Sequence, residues 1–368
     1  MTKKIRAIGA AVVVGLWLIL TGFTWFSPDQ VYSFSERSYL DKFPELSVEN
    51  ILEKGDNSFM SEFNSYTLDQ FPLRDTFRQL KAVFHYKALG QLDNNEIIIH
   101  DGYAAKLEYP LNETSVDNAV KKFNHLYEKY LTDSENIVFA IVPDKGMYLQ
   151  MSGYPTLDYT GLYKAVESGM PYARFVNLAD VLGLENYYLT DTHWRQELIS
   201  DAAQRLCEAL GVAAFEEGEL ASEKVERPFY GVYYGQAALP MASEDLYVMT
   251  GAVLDSCTVY NQETGKTTGI YDWSKLSRRD LYDVYLSGTA ALLTIENPNA
   301  ATDKELIVFR DSFGSSMVPL LVKDYKTVTV VDIRYVASDL LDRYVDFHGQ
   351  NVLFLYSTLI LNSSNTLK

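Results

Sequence analysis

Asn136-Ile-Val-Phe-Ala-Ile-Val142 is, after its leading Asn, an unbroken apolar run, stopped by Pro143-Asp144-Lys145. A strand with one wet face alternates apolar and polar side chains, whereas an uninterrupted run fits a strand covered on both faces, as in parallel sheets. Runs of the same kind recur at 306–309, 328–331 and 352–356. Helical patterns lie between them, including Asp117–Tyr130 and a stretch from Arg195 to Leu210 closed by Gly211. Strands alternating with helices predict an α/β fold with a doubly wound parallel sheet. Ile97-Ile-Ile-His-Asp-Gly-Tyr103 reads as a strand ending in a turn, because Asp-Gly favours positive φ.

The stretch from about 215 to 298 breaks this rhythm. It carries Gly231, Gly235, Gly251, Gly265 and Gly269, many tyrosines and no long helical pattern, which predicts a β-rich insertion next to the functional face. Upstream, a polar, helix-leaning segment runs from about Ser35 to Leu89, with apolar residues at three- and four-residue spacing in Asp75-Thr-Phe-Arg-Gln-Leu-Lys-Ala-Val-Phe84. The expected organisation is a tip and anchor over 1–29, a helical stalk or lead-in over 30–95, and the α/β domain with its insertion over 96–368.

The anchor is read from Lys3, Lys4 and Arg6, which precede an uncharged stretch from Ala7 to Phe26. About 20 apolar residues at ~1.5 Å rise cross a ~30 Å hydrocarbon core. The basic flank belongs on the cytoplasmic side, which places the bulk of the chain outside the cytoplasm, with membrane lipid around the helix. A cleaved signal peptide is the alternative. The stretch is longer than a usual signal core, and Thr24-Trp-Phe-Ser-Pro28 offers no small-residue cleavage pair.

The formal net charge of −17 repels phosphate backbones, so nucleic acid is excluded as a partner. Two cysteines, Cys207 and Cys257, make no disulfide framework. Cys207 shares an apolar helix face with Ala202, Leu206 and Leu210, which favours a buried free thiol over a pair. No histidine pair has metal-ligand spacing, and neither a phosphate loop nor a Gly-x-Ser-x-Gly elbow is present. No metal or cofactor is therefore expected.

The chemistry-bearing residues lie in two places: Thr190-Asp191-Thr192-His193-Trp194 and Asp311-Ser312-Phe313. A serine hydroxyl becomes a nucleophile when a base takes its proton, and that base must be held in one tautomer. His193 suits the base and Asp191, two residues away, its orienter. Ser312 follows a buried strand and precedes a small-residue helix start, which presents Oγ at the carboxyl edge of the sheet. Backbone N–H groups there, beginning with Phe313, are candidates for stabilising an oxyanion. The plainer reading is that Asp191, Thr192 and Ser312 only cap helices. No capping box supports it at the first site, since Trp194 and Arg195 stand where Glu or Gln would complete one.

With those residues in hand, the chain resembles the DHHW family of bacterial extracytoplasmic proteins, related to the SGNH-like domains of the alginate O-acetylation proteins. The residues that carry the resemblance are Asp69-Gln-Phe-Pro-Leu-Arg74-Asp, Val142-Pro-Asp-Lys145, Tyr188-Leu-Thr-Asp191-Thr-His193-Trp194, Arg310-Asp311-Ser312-Phe313 and Val331-Asp332-Ile-Arg334-Tyr335. Thr192 stands where a second His is common, and Gly288-Thr289 where relatives tend to have Gly followed by Asn. The resemblance implies an SGNH-hydrolase-like α/β fold with Asp191 as orienter, His193 as base and Ser312 as nucleophile. Gly288 and Thr289 become candidates for the oxyanion site, while Arg334 and Asp311 either aid catalysis or brace the nucleophile turn. It further implies acyl transfer to a glycan, with a membrane-bound O-acyltransferase as partner. An acetylesterase using the same residues, and a non-catalytic glycan-binding protein, are the alternatives.

Overall fold

The computed structural model describes residues 3–33, 38–52, 58–278 and 280–368; Ser35, where the helix-leaning segment was read to begin, lies outside them. The chain forms two compact units, Met1–Asn95 with Tyr234–Pro240, and Glu96–Tyr233 with Met241–Lys368.

In the first unit, α1 (Lys3–Phe26) is long and apolar enough to cross a membrane and none of it is buried by protein. Length and apolarity alone also admit a signal sequence. After a short helical turn over Val48–Leu52 come α2 (Phe59–Asp69), whose Ser58 N-cap accepts the Ser61 N–H, and α3 (Arg74–Val83), which runs on into a π-helical turn over Phe84–Ala88.

The second unit opens with a hairpin, β1 (Ile97–His100) and β2 (Tyr103–Lys106). Its turn has Asp101 at φ 47° and Gly102 at φ 86°, the positive angles for which Asp-Gly is suited. The amphipathic helix α4 (Glu113–Leu126) starts at an Asn112 cap and continues as a π-helical turn to Leu131. The buried run is β3 (Ile137–Val142), every residue of it inaccessible. After α5 (Tyr159–Gly169) comes β4 (Arg174–Asn177). The helix expected from Arg195 begins later. A 3₁₀ turn occupies Gln196–Leu198, and α6 (Ser200–Leu210) then ends at Gly211, whose left-handed φ of 69° closes it.

In the insertion, β5 (Ala221–Lys224) and β6 (Tyr247–Thr250) form a two-stranded sheet of their own among the described residues, while β7 (Thr258–Asn261), β8 (Lys266–Thr268) and β9 (Leu292–Glu296) do not stay apart. They extend the main sheet. Its remaining strands are β10 (Lys304–Arg310), β11 (Tyr325–Val331) and β12 (Asn351–Ser357), followed by a short helix, α7 (Thr358–Asn362). The eight-stranded order is β8-β7-β9-β11-β10-β12-β3-β4. Pairing is parallel from β11 to β4 and antiparallel from β9 outward. The sheet is thus mixed and mostly parallel, where the sequence alone suggested an all-parallel one. Leu292, Leu293 and Ile295 are buried, and β9 is paired on both sides, with β11 and with β7; nothing local in the sequence names those partners.

Alternate residues of the strands feed two apolar cores. Val138, Ala140, Val308, Val330 and Leu353 pack on the side of α6, and Phe139, Ile141, Phe309, Phe354 and Tyr356 on the side of α4 and α5. Cys207 and Cys257 are both free and buried, and burial pushes their thiols up to about 12 and about 11.

On the α4 side, Phe354 stacks on Phe309 at 4.9 Å between ring centres and meets Phe123 at 5.3 Å. Phe354→Ala is expected to cost about 3–5 kcal/mol of folding stability, read as a lower urea midpoint with an unchanged slope. A loss under about 1 kcal/mol would show that this aromatic layer is not the centre of the core.

Candidate active site

The site stands on the turn after β10. Asp311 is buried and spans the turn with both oxygens. Oδ1 accepts the Phe313 N–H at 3.0 Å, and Oδ2 accepts the Ser357 N–H at 2.7 Å. This locks the carboxyl ends of β10 and β12 together and holds the half-buried Ser312 at the sheet edge. Gly314 permits the tight turn, since a Cβ there would lie 2.7 Å from Arg310 Cβ.

His193 arrives on a separate loop. That loop is closed by an antiparallel bridge between Tyr187 and Trp194 and by the Tyr188 N–H donating to the His193 carbonyl at 3.1 Å. His193 Nε2 lies 2.8 Å from Ser312 Oγ, and Nδ1 lies 2.5 Å from Asp191 Oδ1. The His193 backbone N–H also donates to Asp191 Oδ1 at 3.0 Å. The imidazole is stacked under Tyr282 at 3.8 Å with 8° between planes, and Phe313 meets it edge-on at 5.0 Å. Its side chain is 12% exposed, while Asp191 is 1% exposed. Acid, imidazole and hydroxyl therefore form one hydrogen-bonded line, wet only at the serine end. Such a line can draw the hydroxyl proton onto Nε2 while the carboxylate holds Nδ1–H.

A model of the DHHW family, DHHW protein, matches residues 182–331. The match spans both halves of the line, and the resemblance read from sequence is borne out there. Among solved structures, a DHHW family protein from Eubacterium siraeum superposes with a TM-score of 0.61 at 21% identity, covering 74% of this chain and 94% of that one. Bacillus cereus PatB1, solved with a sulfonyl adduct, superposes with a TM-score of 0.57 at 17% identity, covering 72% and 95%. The O-acetyltransferase domain of Pseudomonas putida AlgJ gives 0.45 at 13%, covering 72% and 92%. No curated protein matches the chain. The two closer superpositions establish the fold.

The other expected residues sit differently. The Phe313 N–H is committed to Asp311, and the Gly288 N–H donates to the Tyr285 carbonyl at 3.0 Å. Neither is free to face an oxyanion. At the nucleophile turn, the N–H with no acceptor among the described residues is that of Ser312 itself. Thr289 is exposed. Arg334 is engaged with Asp332, donating from Nε at 2.9 Å and Nη2 at 2.7 Å. Thr192 accepts from the Tyr233 hydroxyl at 3.0 Å and lies off the hydrogen-bonded line. Among the described residues no cluster of His, Cys, Asp and Glu is arranged to hold a metal.

Several supports carry no signal in the sequence. Asp191 Oδ2 accepts the Val232 N–H at 2.7 Å, and a Cβ on neighbouring Gly231 would lie 2.3 Å from Asp191 Cα. Glu244 accepts the N–H groups of Leu189 and Thr190 at 2.6 and 2.7 Å, fixing the loop just before Asp191. Trp194 Nε1–H donates to Ser316 Oγ at 2.9 Å, and that hydroxyl is also 2.8 Å from the Tyr282 hydroxyl. Lys145 belongs to the quoted Pro-Asp-Lys stretch, but nothing in it announces burial. Its ammonium donates to the Ala104 carbonyl at 2.6 Å and lies near the ring faces of Tyr103 and Tyr233. Burial lowers it to about 7, against the opposing pull of Asp191 and Glu244.

Gly231→Ala is expected to displace Asp191 and slow sulfonyl fluoride labelling of Ser312 by about 10²-fold, with the circular dichroism spectrum unchanged. An unaltered rate would show that Asp191 is not held by this contact. Lys145 yields a pH signature. Its folded value lies below the ordinary 10.5, so between about 7 and 10.5 the unfolded chain binds more protons, and this group's contribution to stability rises with pH. Lys145→Met should flatten the change in Tm between about pH 7 and pH 9 relative to the wild type, in parallel melts. Equal slopes would refute the assignment.

Proposed function

We propose that the protein is a membrane-anchored, extracytoplasmic O-acyltransferase that moves an acetyl group onto a glycan through an acyl-Ser312 intermediate. The observation that carries this reading is the line Asp191–His193–Ser312, with the serine at the carboxyl edge of the sheet. Ser312 Oγ attacks the acyl carbonyl as His193 Nε2 takes its proton, and the leaving group then receives that proton. In the second half-reaction a sugar hydroxyl gives its proton to Nε2 and attacks the ester. Ser312 Oγ departs and is reprotonated. The Ser312 N–H, left without an acceptor among the described residues, is the donor available to the carbonyl oxygen as negative charge develops on it.

The resemblance to the DHHW family, and through it to the alginate O-acetylation proteins, supports glycan as the acceptor. The apolar length of α1 supports membrane anchoring, and a membrane-bound O-acyltransferase would supply the acyl group from the same bilayer.

Incubating the protein with an activated acetyl ester should leave an acetyl group on Ser312, detected by mass spectrometry and absent from Ser312→Ala. His193→Ala should slow its formation by about 10³-fold or more. An added oligosaccharide should discharge the adduct and become acetylated. Discharge to water at a rate indifferent to sugar would make the protein an esterase. A folded wild type that never acquires the adduct would leave a glycan-binding role.

A further inference from the structure

In α3 and the turn after it the apolar side faces outward. Leu73, Phe77, Leu80 and Phe84 are spaced by four, three and four, one stripe along a helix. They are 68, 45, 63 and 54% exposed. The opposite side is the covered one. Ala82 is fully buried, and Arg78 donates to the Gly235 carbonyl at 3.1 Å. A helix at the surface of a water-soluble body does the reverse, turning its apolar stripe to the core. The stripe is also flanked by cations. Lys81 and Lys87 are exposed on either side of it, and residues 74–88 carry Arg74, Arg78, Lys81 and Lys87 against Asp75 alone. Arg74 and Arg78 pair with Asp69 and Asp75, so in a chain of net charge −17 Lys81 and Lys87 are the exposed cations beside the stripe.

The occupant follows from where this helix begins. The Gln30 N–H donates to Gln70 Oε1 at 2.8 Å, and Gln70 Nε2 donates back to the Gln30 carbonyl at 2.9 Å. The Tyr66 hydroxyl donates to Asp29 Oδ1 at 3.0 Å. These bonds tie the end of α2 to the chain just past Phe26, where α1 stops. Three residues, Phe71 to Leu73, then lead into α3, a reach of about 10 Å at most. If α1 spans the bilayer, α3 starts at its surface.

We propose that α3 is an in-plane membrane helix: Leu73, Phe77, Leu80 and Phe84 enter the interfacial layer of the bilayer that holds α1, and Lys81 and Lys87 meet anionic headgroups. This rests on the anchoring read for α1 and is independent of the chemistry at Ser312. A second amphipathic contact fixes the orientation of the first unit on the membrane, which a single spanning helix leaves free to swivel.

The test uses the full chain in vesicles, with Leu80→Cys carrying an environment-sensitive fluorophore; the native thiols are buried. A second preparation labelled at Leu18→Cys reports on α1, and a circular dichroism spectrum and melting curve matching the wild type confirm folding in both. The expected result is blue-shifted emission at Leu80, shielding from aqueous iodide, and quenching by a shallow nitroxide lipid in vesicles containing anionic phosphatidylglycerol. That quenching should fall in purely zwitterionic vesicles, and fall likewise in the Lys81→Glu, Lys87→Glu variant. A water-exposed Leu80 label alongside a bilayer-embedded Leu18 label would overturn the proposal and leave the anchor standing. A water-exposed Leu18 label would remove the anchor and the proposal with it. Shielding of Leu80 that grows with protein-to-lipid ratio, without nitroxide quenching, would replace the bilayer with a second copy of the chain.

Discussion

The carboxylate of Asp191 is the point on which the second unit's site depends. It accepts the ring and backbone N–H of His193 on one oxygen and the Val232 N–H on the other. A buried carboxylate without donors is costly, and three donors offset that cost only if all three arrive together. Val232 belongs to the insertion, so the insertion helps to complete the hydrogen-bonded line. Glu244, also in the insertion, takes the two N–H groups just before Asp191 and the Thr190 hydroxyl. The sheet alone would present Ser312 with no fixed base.

This division explains what could be read from the sequence. Buried parallel strands announce themselves locally, because both faces of Ile137–Val142 or Asn351–Ser357 must be apolar. Asp191 and His193 are two residues apart and Ser312 follows a strand, so each is marked locally in the sequence, although the contacts that fix the imidazole against the serine come from the insertion. Gly231, Glu244 and Tyr282 act across 30 to more than 50 residues of chain, and their residue types are unremarkable. The surroundings of the expected oxyanion donors were hidden for a similar reason. The Phe313 N–H was expected to be free because it begins a helix, yet Asp311 two residues earlier captures it. Antiparallel pairing of β9 on β11 was likewise hidden, since an amphipathic or apolar strand does not say which edge it will join.

The Trp of the Asp-Thr-His-Trp stretch shows how the two loops are kept in register. Its indole N–H is bound by Ser316, on the helical turn after Ser312, and the Ser316 hydroxyl also meets Tyr282. Tyr282 in turn lies flat on the His193 ring. A displacement of either loop would break a buried hydrogen bond and unstack the imidazole together. Ring orientation is therefore set from above by stacking, from one side by Asp191, and at the base by the indole next in sequence. If an imidazole so held serves as a base, as proposed, this preorganisation matters more than its distance from water.

Net charge is a poor guide to the field at this site. Exposed carboxylates give the chain its −17, but charges in water are screened beyond about 8–10 Å at ordinary salt. Two cations lie within the protein close to the site and escape that screening. The Arg310 guanidinium is 1% exposed, donates to the Asp311 and Gly288 carbonyls, and lies 3.8 Å from Asp332. Lys145 is 2% exposed and shares the field of Asp191. Asp332 already neutralises much of Arg310 and is itself shared with Arg334, whereas Lys145 makes no carboxylate contact within ion-pair distance among the described residues. Its hydrogen bonds go to carbonyl oxygens, which orient the ammonium without cancelling it. Burial lowers Lys145 to about 7, so it supplies this less compensated positive field while protonated, and as pH rises through that value the field that favours the ionised Asp191 fades.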